Sequence, residues 1–107
     1  LITQTATILV LDGNLATNSM VEDALEAGGS TELTAGAAFA DNTGFLVAWD
    51  DGTNSYLSLV QNTSGATEAD GATFTSGSLT STTLITFVGM ADVDTLTAAN
   101  FGTNLIG

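Results

Sequence analysis

Carboxylates and a single tyrosine are the only titratable side chains in this sequence, which has no Lys, Arg, His or Cys. Six of the twelve acids lie in three close pairs on polar segments. Asp50 and Asp51 stand beside Asn54, Glu68 lies two positions before Asp70, and Asp92 lies two before Asp94. Paired carboxylates can hydrolyse a glycosidic bond when they converge from two sides. Asp50 and Asp51 are the obvious pair, but adjacent strand positions point to opposite faces. Asp51-Gly52-Thr53 also lacks the residue order of an aspartic protease site. Without imidazole, thiol, amine or guanidinium there is no ordinary general base near neutrality, no activated thiol, no Schiff-base amine and no phosphate clamp, and only carboxylates remain. The expectation is a protein that is not an enzyme.

Metal binding suits the same residues better, because hard oxygen ligands carried on loops are what calcium takes. The candidate ligands are Asp50, Asp51, Asn54, Glu68, Asp70, Asp92 and Asp94. No segment has the alternating acids, central Gly and distal Glu of an EF-hand loop. Turn formation and capping are the competing use of each cluster, since Asp and Asn do both routinely. Two clusters from different loops could still share an ion. Carbohydrate binding is a further alternative, resting on Trp49 and Tyr56, whose rings could stack on a sugar or pack in a core.

These residues are positioned by a hairpin, Gly44 to Val60, on which the rest of the chain must pack. Its first arm, Phe45-Leu46-Val47-Ala48-Trp49, is apolar throughout and reads as a central strand covered on both faces. The second arm, Ser55 to Val60, alternates small polar with large apolar residues, which predicts one wet face. Asp51-Gly52 supplies the positive φ of a tight turn. Upstream, Ile2 to Leu11 reads as a strand ended by Asp12-Gly13-Asn14. Ser19-Met20-Val21-Glu22 has the spacing of a capping box, with a short helix from Met20 to about Ala27 stopped by Gly28-Gly29. Val21, Ala24 and Leu25 share one face of it, and Glu22 and Asp23 fall in its first turn.

Residues 30–43 read as a connection that covers one edge of the core, and residues 61–71 as a surface loop. A weak strand is expected at Ala72 to Thr75. Leu79 to Val88 reads as a second core strand, with Leu84, Ile85, Phe87 and Val88 as its apolar members. Asp94 can cap a helical turn through Thr95 to Ala99. Phe101 and Leu105-Ile106 predict a last strand or an anchored tail. The whole suits one domain, residues 1–107, mainly β in an α+β arrangement: an antiparallel sheet or sandwich with one short helix near the N-terminus.

Twelve acids without a basic residue give a formal net charge of −12. No ion pair between side chains can form. Nucleic acid and anionic membrane are poor partners for such a chain, because both are bound through Lys and Arg. A divalent cation or high salt relieves its self-repulsion. Only 11% of residues are charged, so this is not the dense carboxylate shell of a halophile. The absence of Cys removes disulfides and thiolate metal sites, and it is common in bacterial proteins exported unfolded in one step. No run approaches a membrane span of about 20 apolar residues. The first residue is Leu and no signal peptide is visible, so a processed product or a piece of something longer is expected.

Set in order, VEDALEAGG, FLVAWDDGTNSYLSLV and LITFVGMADVDTLTAANF resemble the C-terminal region of large bacterial calcium-dependent surface and secreted proteins of the RTX type, exported by type I secretion. The likeness covers about Val21 to Phe101. The glycine- and aspartate-rich nonapeptide that loads those proteins with calcium is absent here, so the resemblance places calcium on no matched ligand. What it implies is an extracellular, cell-surface, non-catalytic module of the kind found in adhesins, surface layers and secreted matrix proteins.

With strand-like segments at both ends, the chain could complete a neighbour's sheet as readily as its own. Repeated head to tail, such pairing gives a filament or layer. The expectation is therefore a self-assembling extracellular structural protein that uses calcium. The alternatives are a monomeric accessory or secretion-targeting module ending an RTX-like adhesin and, third, a carbohydrate-binding module recognising a cell-surface glycan.

Overall fold

The computed structural model describes residues 8–95, apart from the side chain of Asp12, and the expectations for Ile2 to Thr7 and for Leu96 onward lie outside these. Five regular elements and one 3-10 turn follow in order: β1 Ile8–Asn14, α1 Asn18–Leu25, β2 Gly44–Asp50, β3 Ser55–Asn62, β4 Leu79–Phe87 and the turn Val93–Thr95. The fold is mainly β with one short helix. The four strands form one sheet in the order β1-β2-β3-β4. β2, β3 and β4 are antiparallel neighbours, whereas β1 runs parallel to β2 and makes the sheet mixed. Parallel neighbours need a crossover, and α1 with residues 26–43 supplies it.

The hairpin stands where the sequence puts it, with Trp49 opposite Tyr56 and Asp50 opposite Ser55. Its first arm is covered on both faces. Phe45, Val47 and Trp49 enter a core completed by Leu11, Val60 and Leu79 of the sheet and by Val21, Ala24 and Leu25 of α1. Residues 33–39 and Phe74 close that core from outside, where Phe74 and Phe39 meet edge to face at 5.3 Å. Ala48 turns to the other face and packs with Leu57 and Val93. Phe74 lies in the weak segment Ala72 to Thr75, which makes a single bridge at Thr73 to Thr34.

Three expectations change. The serines of β3 do not face water. Ser55 and Ser58 are fully buried, because Ser55 donates to the Met90 carbonyl at 2.7 Å and Ser58 links α1 to the core. The helix begins earlier than a Ser19 cap would place it. Thr17 is its N-cap and accepts from the Met20 amide, so Glu22 and Asp23 fall beyond the first turn. Finally, among the described strands β4 lies at the edge of the sheet, and only its first half, at Leu79, enters the core. Leu84 sits where the β3 register slips, and it and Val88 are 54% and 85% exposed, while Ile85 and Phe87 are half-buried.

The helix stop is as read from its glycines. Gly28 adopts a φ of 86°, and a Cβ on Gly29 would collide with the Asp23 and Ala24 carbonyls. Asp12-Gly13-Asn14 does not end β1, which continues to Asn14 with an irregular register after Val10.

Candidate functional site

The hairpin tip is the most heavily bonded acidic region, and its geometry follows from the turn. Asp50 is the last residue of β2 and points to the face carrying Val93. One of its carboxylate oxygens accepts from the Gly52 amide at 3.1 Å, and the other from the buried Val93 amide at 2.9 Å. Asp51 points the other way. Its Oδ1 accepts from the Thr53 and Asn54 amides at 2.9 and 2.8 Å, and its Oδ2 from the Tyr56 hydroxyl at 2.6 Å. Asn54 Oδ1 accepts from the Gly89 amide at 2.8 Å. The two aspartates thus serve opposite faces of the sheet, which leaves no converged pair for acid–base work.

The bond network shifts the titrations at this tip. Donation from the Asn54 amide, then from the Tyr56 hydroxyl and the Thr53 amide, holds the Asp51 carboxyl below the ordinary carboxylate value. The same carboxylate raises the Tyr56 phenol, because ionising it would put two negative charges on one hydrogen bond.

Residues 88–95 bring a second acidic pair to this end. Asp92 Oδ1 accepts from the Asp94 amide at 3.0 Å and its carbonyl takes the Thr95 amide and hydroxyl. Asp92 thus caps the turn Val93–Thr95, while the helical turn expected from Thr95 to Ala99 lies mostly outside the described residues. Glu68 and Asp70 lie at the far end of β3, which at about 3.3 Å per residue is roughly 23 Å long. Glu68 exchanges backbone bonds with Phe39 at 2.8 and 2.9 Å, and its carboxylate accepts from the Thr75 amide. Asp70 is exposed in the turn at Gly71. The structure thus joins Asp50, Asp51 and Asn54 to the loop of Asp92 and Asp94, and separates Glu68 and Asp70 from them. Among the described residues no three acids gather into a group that could hold a metal ion.

Trp49 is core. It is 2% exposed, stacks on Tyr56 at 4.4 Å between ring centroids, and donates its indole N–H to Ser58 Oγ at 2.9 Å. A sugar could reach only the half-buried Tyr56, whose hydroxyl is already held by Asp51.

Polar residues that sequence reasoning passed over do the most at the junction of α1 and the sheet. Asn18 accepts from Ser58 and Ser81 at 3.1 and 2.7 Å and donates to Thr83 at 2.9 Å. Glu22 and Glu26, one helical turn apart, accept from the backbone amides of Ser81 and Leu79 at 2.7 and 2.9 Å. These amides face away from β3, so the two carboxylates stand in for a fifth strand. Their four-residue spacing on one helix face was the available signal. Asn62 is fully buried and bonds the Phe39 and Ala66 carbonyls and Ser64.

Comparison with protein-family models, with curated proteins and with solved structures finds no match to this chain. Among the described residues no helix is long and apolar enough to cross a membrane.

Proposed function

We propose that the chain is a non-catalytic, extracellular structural protein of bacterial origin, whose copies assemble into a filament or surface layer with calcium between their acidic surfaces. The observation that carries this reading is the outer side of β4. Glu26 and Glu22 guard it at Leu79 and Ser81, and beyond them Leu84, with Val88 in the turn that follows the strand, projects into solvent. β4 has no charged residue, and among the described strands only β3 pairs with it. Past the two carboxylates, the uncharged, partly apolar stretch of this edge is the usual place for a strand from another copy to add.

Calcium enters through the charge balance. Two copies that each carry −12 repel, and a divalent ion shared between carboxylates of different copies relieves this where no ammonium or guanidinium can. Such a site needs only one or two acids from each copy, so it is compatible with the lack of a cluster among the described residues of one copy.

Negative-stain electron microscopy with calcium, and again with chelator, tests the reading. Filaments or sheets that dissolve on chelation are expected. Order that survives chelation removes the ion and leaves strand addition alone. Monodisperse particles in both conditions overturn assembly, in favour of a monomeric accessory or secretion-targeting module. Leu84→Asp with Val88→Asp, both at exposed positions, should abolish the order while leaving Trp49 buried.

A further inference from the structure

Indole and phenol are the side chains that give up a single electron most readily in a chain without Cys, and this sequence has one of each, Trp49 and Tyr56. The fold puts them face to face. They stand opposite each other on β2 and β3, with their rings stacked at 4.4 Å between centroids and 28° between planes. Trp49 is 2% exposed and Tyr56 is half-buried, so the phenol is the solvent-side member of the pair.

Their polar hydrogens have unlike partners. The indole N–H donates to Ser58 Oγ, a neutral hydroxyl, at 2.9 Å, whereas the phenol O–H donates to the Asp51 carboxylate at 2.6 Å. The second bond is charge-assisted and short. Loss of an electron turns a phenol into a strong acid, and of the two rings only Tyr56 has a base already on its proton. Asp51 keeps that capacity although donation from the Asn54 amide, then from Tyr56 itself, holds it below the ordinary carboxylate value, because an oxidised phenol is by far the stronger acid.

We propose that Tyr56 is the chain's site of one-electron oxidation, served by Asp51 as proton acceptor and by Trp49 as a relay beneath it. The substrate is a diffusible one-electron oxidant of the inorganic-radical class. The oxidant gains one electron, the phenol O–H bond breaks, its proton joins Asp51 Oδ2, and a neutral tyrosyl radical remains. Where the oxidant takes the electron from Trp49 instead, the indole radical cation draws an electron from Tyr56 across the stack, the same proton passes to Asp51, and the indole is restored. Near neutrality the neutral tyrosyl radical is the lower in energy of the two, so the electron vacancy runs outward. The buried Trp49 is thereby returned intact, and the oxidation ends on the ring that a reductant in solution can reach. The site lies within one copy, so it stands whether or not copies associate through β4.

Pulse radiolysis of the full chain with the azide radical as oxidant tests this, since indolyl and tyrosyl radicals absorb at different wavelengths. The expected result is an indolyl signal that decays into a tyrosyl signal, at a rate independent of protein concentration and slower in heavy water. Tyr56→Phe, which loses only the hydroxyl, should leave the indolyl signal standing. Asp51→Asn keeps an oxygen acceptor but is a far weaker base, and it should slow the conversion several-fold, with Trp49 emission showing that the fold is kept. Persistence of the indolyl signal in the unmodified chain, a rate that rises with protein concentration, or the absence of a heavy-water effect overturns the proposal. So does a folded Asp51→Asn variant that converts at the rate of the unmodified chain.

Discussion

Replacing Glu26 by Leu removes the acceptor that the Leu79 amide depends on. Glu26 is 2% exposed and Leu79 3%, so water cannot replace the lost bond without opening the junction of α1 and β4. A buried donor left unsatisfied costs about 1–3 kcal/mol, and hydrogen bonds to charged groups lie toward the upper end of the range. Leu also relieves the cost of burying a carboxylate that has no cation, which lowers the net figure. About 2 kcal/mol of destabilisation remains. Glu26→Gln separates the two effects, because its amide oxygen can still accept while the charge is gone, and it should lose under about 1 kcal/mol. Trp49 is the single tryptophan and is buried, so its emission follows urea unfolding directly. With an m-value of about 1–1.5 kcal/mol/M for a chain of this size, the Leu variant should unfold about 1.5 M urea earlier. A Leu variant as stable as the Gln variant would falsify the idea that Glu26 acts as a backbone acceptor. The same substitution frees an edge amide, so it should also promote association of copies through β4.

Asp51 has a folded pKa below its unfolded value, so its contribution is present above about pH 4 and is lost as pH falls through the lower folded value. Asp51→Asn should flatten the acid limb of a urea-midpoint series, and an unchanged limb would show that the tip bonds do not matter to stability. The Tyr56 phenol has a raised folded pKa, so its contribution holds below about pH 10 and fades as pH rises through the folded value. Ultraviolet titration should find it above an unhindered tyrosine, and Asp51→Asn should bring it down. Ser58→Ala leaves the buried Trp49 indole N–H unpaired and should cost about 1–2 kcal/mol in urea unfolding. Gly52 has a φ of 86°, and an added Cβ would lie 2.6 Å from Asn14 Nδ2, so Gly52→Ala should cost more than about 1 kcal/mol and lower the thermal midpoint.

The elements with their own periodicity were legible, and those defined by a neighbour were not. Phe45 to Trp49 announces a strand buried on both faces because every residue is apolar, and both faces carry an apolar cluster, although Leu46 on the second is only half-buried. β4 looked like core for the same reason, since a Thr-rich strand with four large apolar residues reads alike at a sheet's centre and at its edge. Its place was decided elsewhere, by the Glu22 and Glu26 carboxylates that occupy the side where another strand would pair. Nothing within Leu79 to Val88 could have revealed that.

The serines of β3 failed as signals for a related reason. Alternation of Ser with Leu predicts a wet face only when the apposed layer offers nothing to bond, and here Asn18, Trp49 and the Met90 carbonyl are waiting. The acids at the hairpin tip teach the converse. Their types and spacing suited either an ion or a turn, and the turn bonds that are seen depend on the orientation of amides that no side-chain pattern encodes. In a chain without a single basic residue, backbone N–H groups are the only abundant counterweight to carboxylate charge. Asp50, Asp51, Glu22, Glu26 and Asp92 each accept from at least one. Folding such a chain aims its amides at its acids within one copy. The acids that remain at the surface have only water and dissolved cations to face.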